Sequence, residues 1–231
     1  MKSTVIGAIA AVVLAITGTT SEASTNVAEL KNIQFSVADL NPGDGIAPDY
    51  FPSGPSQSGY FTNLNGQGMS GPGIVTDGFL TAGDIGDAAP NASVSGSMSP
   101  SGGVVLEADA TAPGTAEIDG SSVLSLFITP YTSLTLTADS LFQALGGAGS
   151  ESVSICLDTI CSSFQSSIDG TQAHAYSVTF TNDSAQSPGL TARVEVSAFA
   201  SSVPELPTSV LLLAAGALFI GRRSWRPSRR G

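Results

Sequence analysis

Between Ser24 and Ser202 apolar and polar residues alternate in short bursts, the period-two pattern of a strand with one buried face. In Asn32–Leu40, Ile33, Phe35 and Val37 alternate with Gln34 and Ser36. In Ser133–Asp139, Leu134, Leu136 and Ala138 point one way and Thr135, Thr137 and Asp139 the other. Ala173–Thr181 sets Tyr176, Val178 and Phe180 on one face. Thr191–Ala200 turns Ala192, Val194, Val196 and Ala198 inward and Arg193, Glu195 and Ser197 outward. Gly103–Ala108 and Ser122–Ile128 read as further strands, and Ser152–Leu157 and Ile160–Phe164 as a hairpin turning at Asp158-Thr159. The count of such segments predicts an all-β fold, a β-sandwich or jelly-roll-like body over residues 24–202. Two stretches break the pattern. Asn41–Gly73, rich in Gly, Pro, Ser and Asn, reads as long loops with one strand near Gly59–Leu64, and Asp77–Asn91 reads as loop as well.

Composition fits that picture. The chain is 42% hydrophobic and 12% charged, which suits a packed core better than disorder. Charge is unevenly placed. Five of the eight basic residues, Arg222, Arg223, Arg226, Arg229 and Arg230, fall in the last ten positions. Between Ser24 and Val203 seventeen acids face only Lys31 and Arg193, a balance of −15. Such a body repels phosphate backbones, so nucleic acid is not an expected partner.

The two ends differ from the body. Lys2, the apolar run Val5–Ile16 and the small residues of Ser21-Glu22-Ala23 have the order of a secretory signal peptide over residues 1–23, cut after Ala23 by signal peptidase. At the other end stand Val203-Pro204-Glu205-Leu206-Pro207, then the apolar run Val210–Ile220, then the arginine-rich end. From Pro207 to Gly221 a helix would reach about 22 Å at about 1.5 Å per residue. That spans a hydrocarbon core of about 30 Å only marginally. The flanking arginines place residues 222–231 on the cytoplasmic side and the acidic body outside.

This tail, residues 203–231, resembles the PEP-CTERM sorting signal of Gram-negative bacteria: a V-P-E-P-like motif at 203–207, a transmembrane helix at 208–221 and a basic end at 222–231. Val203, Pro204 and Glu205 match the motif; Leu206 stands where a second proline is usual, and Pro207 follows it. In that family an exosortase, a membrane enzyme with a cysteine nucleophile, processes the tail near the motif. Two body segments, Asp39–Pro48 and Phe127–Leu136, are similar to stretches of PEP-CTERM proteins and imply a shared all-β ectodomain without known chemistry.

Candidate chemistry is sparse. Across the predicted hairpin Cys156 lies opposite Cys161 as a non-hydrogen-bonded pair, with Cα atoms about 4.5 Å apart. That is at the close edge of disulfide geometry, and export delivers the pair to an oxidising compartment. A disulfide is expected; C-x₄-C without further Cys gives no redox or metal motif. His174 is the only histidine and reads as a partly buried strand-end residue. No G-x-S-x-G surrounds a serine, so a hydrolase triad has no foundation. Asp39, Asn41 and Asp44, and likewise Asp77, Asp84 and Asp87, are spaced as oxygen ligands for calcium, although neither set fits the EF-hand pattern. No cofactor motif is present. The sequence does not show which carboxylates converge in space for glycosidase work.

Two functions follow as expectations. The first is a non-enzymatic, exported envelope or matrix protein, first membrane-associated through its tail and then displayed at the surface or outside the cell. Its role would be structural or adhesive within extracellular polysaccharide or biofilm, the association that the resemblance implies. The second is a carbohydrate-binding or glycoside-cleaving β-sandwich, for which Tyr50, Phe51, Tyr60 and Phe61 are the available aromatics.

Overall fold

The structure is a computed structural model that describes residues 23–70, 74–76, 79–80, 82–146 and 148–202. The regular elements among them are all strands: β1 (Ala23–Asp39), β2 (Tyr50–Pro52), β3 (Ser56–Leu64), β4 (Gln67–Ser70), β5 (Ile74–Thr76), β6 (Gly83–Ala89), β7 (Ala92–Ser99), β8 (Gly103–Thr111), β9 (Gly114–Ile128), β10 (Thr132–Leu145), β11 (Ala148–Leu157), β12 (Ile160–Ser166), β13 (Gly170–Asn182) and β14 (Gly189–Ser202). They form two antiparallel sheets. One runs β13-β10-β1-β8-β7-β6; the other runs β12-β11-β14-β9-β3-β4, with β2 beside β9 and β5 beside β3. The sheets face each other through β1, β8, β9 and β14, as in a β-sandwich. No helix among the described residues is long and apolar enough to cross a membrane. Residues 1–22 and 203–231, with the sorting motif, the apolar run and the arginine cluster, lie outside the described residues.

Alternation explains the layers. In β10 Leu134, Leu136, Ala138, Ser140, Phe142 and Ala144 are buried, and the residues that alternate with them face out. Tyr176 and Val178 of β13 and Ala192 to Ala200 of β14 fill the same interior. Fully burying a leucine or valine contributes roughly 1.5–3 kcal/mol, so this shared stripe is the main stabilising term.

In β1 the predicted strand is the distal half of a longer one. Residues Ser24, Asn26, Ala28 and Leu30 face inward; past a register shift between Lys31 and Gln34 the inward set becomes Ile33, Phe35 and Val37. Asn32, at φ 54°, is the residue that flips the phase. Its side-chain amide donates to Asp139 on β10 at 2.8 Å, which holds this bulge to the sheet. The sequence reading missed the proximal half because Ser24 and Asn26 put polar groups on the buried face.

The two predicted loop stretches are corrected. Asn41–Gly73 holds β2, β3 and β4 rather than one strand, and Asp77–Asn91 holds β6, an edge strand. Alternation in Gly83–Ala89 is written with Gly, Asp and Ala and only one large apolar residue, Ile85, so the pattern is faint. β7 also went unpredicted: its inward residues Ala92, Val94, Gly96 and Met98 are mostly small. Those small residues let the sheets approach. A side chain on Gly96 would meet Ile118 from the facing sheet and Leu106 of the neighbouring strand β8.

Both ends of the described chain emerge together. Ala23 pairs with Thr111 on β8, and Ser202 pairs with Gly114 on β9, just across the β8–β9 turn. We call this end of the sandwich the entry end and the opposite one the far end. Turns at the entry end are Asn65-Gly66, Pro90-Asn91, Ala112-Pro113 and Ser167–Asp169, and Gly146 follows β10 there. The far end carries the links 40–49, 129–131, 158–159 and 183–188.

Candidate functional site

The predicted hairpin is β11–β12. Cys156 is opposite Cys161 in the register, and the two form a disulfide with Cα atoms 4.1 Å apart. Asp158, at φ 55°, makes the tight turn, and its amide donates to the Thr191 carbonyl on β14 at 2.7 Å. Arg193, beside Cys156 on β14, lays its guanidinium 3.8 Å from the Cys156 sulfur and 3.3 Å from Glu195. The sulfur is thereby covered, although it points to the outer face.

The candidate calcium residues serve their own turns. Asp39 Oδ1 accepts the Asn41 amide at 2.8 Å, and Asp44 Oδ1 accepts the Ile46 amide at 2.7 Å. Such Asx turns are the usual work of aspartate in a Gly-Pro loop. Asp87 accepts the Ala88 amide at 2.8 Å, Asp84 alternates onto the exposed side of β6, and Asp77 lies outside the described residues. No group of three His, Cys, Asp or Glu residues is placed to hold a metal ion among the described residues.

His174 is half-buried on β13, stacked on Phe164 at 4.6 Å and edge-on to Tyr176 at 4.8 Å. It belongs to a row of rings running Phe142, Phe164, His174, Tyr176 along the border of the two sheets. A shallow depression of about 320 Å³ lies alongside, lined by Lys31, Asp139, Leu141 and His174 among others.

The four candidate aromatics divide. Tyr50 packs on Phe35 at 5.2 Å, and Tyr60 faces inward, its hydroxyl donating to the Gly83 carbonyl at 2.9 Å. Burial and the nearby Asp84 carboxylate push the Tyr60 phenol up to about 12. These two are core residues. Phe51 and Phe61 point outward, and Phe51 is the cross-strand partner of exposed Phe127.

Phe61 has the more polar surroundings. Its partner on β9 is Asp119, and on the other side of Asp119 lies Ser197 of β14. One step along, Glu117 lies between Asn63 and Phe199. Burial pushes the Asp119 carboxyl up to about 6, helped by the carboxylates of Glu117 and Glu195. The rings of Phe61 and Phe199, the acids Glu117, Asp119 and Glu195 and the hydroxyls of Ser121 and Ser197 thus share one part of the outer face of the larger sheet. Rings of this kind can stack on a sugar face while carboxylates accept its hydroxyls. Alternation puts Asp119 on the outside, but its neighbours come from β3 and β14, far away in sequence. Only the register brings them together.

A second perturbed acid is inside. Glu151 on β11 points inward beside Val153 and Ile155, 1% exposed, between Ser166 of β12 and Ala198 of β14. Neither carboxylate oxygen has a hydrogen-bond partner. Burial pushes the group up to about 7; its own amide pulls weakly the other way, and Asp169 adds a smaller upward push.

Neither a family model, a curated protein nor a solved structure matches this chain.

Proposed function

We propose that the chain is an exported envelope protein whose acidic β-sandwich is delivered by an N-terminal signal helix and a C-terminal transmembrane sorting helix of PEP-CTERM type. In this reading signal peptidase cuts after Ala23 and an exosortase-like enzyme processes the tail near Val203–Pro207. The sandwich then serves a structural or adhesive role in extracellular polysaccharide, without catalysis. The observation that carries the reading is the order of parts after Ser202: motif, unbroken apolar run, arginine cluster. Two further features support it. Ser24 is the first buried residue of β1 among the described residues, so a cut after Ala23 leaves that strand's described inward face in place. The disulfide suits an oxidising compartment. Deleting residues 203–231 tests the proposal by fractionation. The shortened protein should be released freely while the full chain stays with the envelope; identical fractionation of both would sink it.

A second reading, a carbohydrate-binding face, is favoured by Phe61 lying beside Asp119, with Glu117 and Glu195 near enough to raise its pKa. Phe61→Ala should then weaken retention on the host's exopolysaccharide, and unchanged retention would remove this reading.

A further inference from the structure

We propose that the entry end of the sandwich rests on a lipid surface, with Leu145 and Ile168 seated in the headgroup layer. The proposal rests on the sorting-tail reading and adds to it an orientation. Seven residues, 203–209, separate Ser202 from the apolar run. At about 3.5 Å each they span at most about 25 Å, so a membrane-inserted run keeps Ser202 within that distance of the bilayer. Since β14 leaves at the entry end, it is this end that is held there.

The entry end is built differently from the far end. Among the described residues the two most exposed large apolar side chains are Leu145, at 67%, and Ile168, at 65%, whereas those at the far end, Leu40, Ile46, Phe51, Phe127 and Ile160, are 40–48% exposed. Leu145 directly follows Ala144, which pairs with Gly170, and Ile168 lies two residues before Gly170 in the turn at the same end. Proline tips at Pro90 and Pro113 are exposed at the same end. Among the described turn residues at this end Asp169 is the one acid, whereas the far-end links carry Asp44, Asp49, Asp158 and Asp183. A carboxylate pressed toward hydrocarbon loses hydration, while an apolar side chain gains by leaving water. This acid-poor end, which also carries the two most exposed large apolar side chains among the described residues, is thus the one suited to a headgroup layer, and the tail tethers that same end.

The test uses the full chain in phosphatidylcholine vesicles, with an environment-sensitive fluorophore on an introduced thiol at Ile168→Cys or, at the far end, Phe51→Cys. Cys156 and Cys161 are tied up in the disulfide and leave the new thiol as the labelling site. The expected result is a blue shift and protection from iodide at position 168, with a water-like signal at position 51. If the chain floats with vesicles but position 168 stays water-like, the orientation is wrong while the tail reading stands. Failure to float sinks both. A blue shift at both positions, or one that grows with protein density on the vesicle, also overturns the proposal, the latter by showing contact between copies.

Discussion

Glu151 sets the pH response at the residue scale. A carboxyl whose folded pKa is raised stabilises the fold while protonated and withdraws that contribution as it ionises. The window for Glu151 runs from its ordinary 4.5 to about 7, and for Asp119 from 3.8 to about 6. Both contributions are present in full below the lower values and are lost as pH rises through the upper ones. The sandwich should therefore melt at lower temperature at pH 8 than at pH 4.5. Glu151→Gln should restore about 1–3 kcal/mol at pH 8, the usual cost of a buried unsatisfied polar group, and change little at pH 4.5. Parallel pH profiles for variant and parent would remove Glu151 from this account. Both acids were within reach of the sequence but not read from it. The predicted strand starts at Ser152, whereas β11 starts at Ala148; carried back as far as Glu151, alternation sets that carboxylate beside Val153 and Ile155 on the buried face.

Elements differ in how plainly they announce themselves. Strands β10, β13 and β14 each carry a run of apolar residues at alternate positions, Leu134–Ala138, Tyr176–Phe180 and Ala192–Ala198, and their faces follow directly from the sequence. The β11–β12 hairpin was equally legible, because a two-residue turn fixes the register and with it the cysteine pair. Strands β6 and β7 were not, since Gly, Ala and Ser alternate without contrast. Nor was the bulge of β1, where one residue inverts the phase of a seventeen-residue strand. The disulfide closes a loop of only a few residues, with its cysteines five apart in sequence. By loop entropy its removal should cost about 2 kcal/mol. A calorimetric melt with and without reductant measures this; a loss twice as large would mean that the covering contact with Arg193 depends on the bridge.

At the scale of the whole molecule, β14 pairs with β9 through Ser202 and with β11 through Ser201. Truncation after Ser202 should therefore leave the melting temperature of the body within a degree or two of the full chain. Truncation before Gly189 should abolish cooperative melting. A cooperative transition in the second variant would show that the two halves of the larger sheet hold without β14. The sandwich class was legible because many alternating segments lacked helical competitors. The Phe61–Asp119 face was not, because it joins residues from β3, β9 and β14 that only long-range register brings together.

The central position of β1 and β14 also governs the order of events during synthesis. The opening strand waits without a partner until β8 has been made, more than sixty residues after Asp39, and its second partner β10 comes later still. The larger sheet meanwhile exists as two pieces, the β11–β12 hairpin and the β3–β9 group, which only β14 joins. Contacts this distant in sequence form slowly. The larger sheet thus closes on its last strand, the fourteen residues Gly189–Ser202, so a chain released short of them carries two unjoined halves of that sheet.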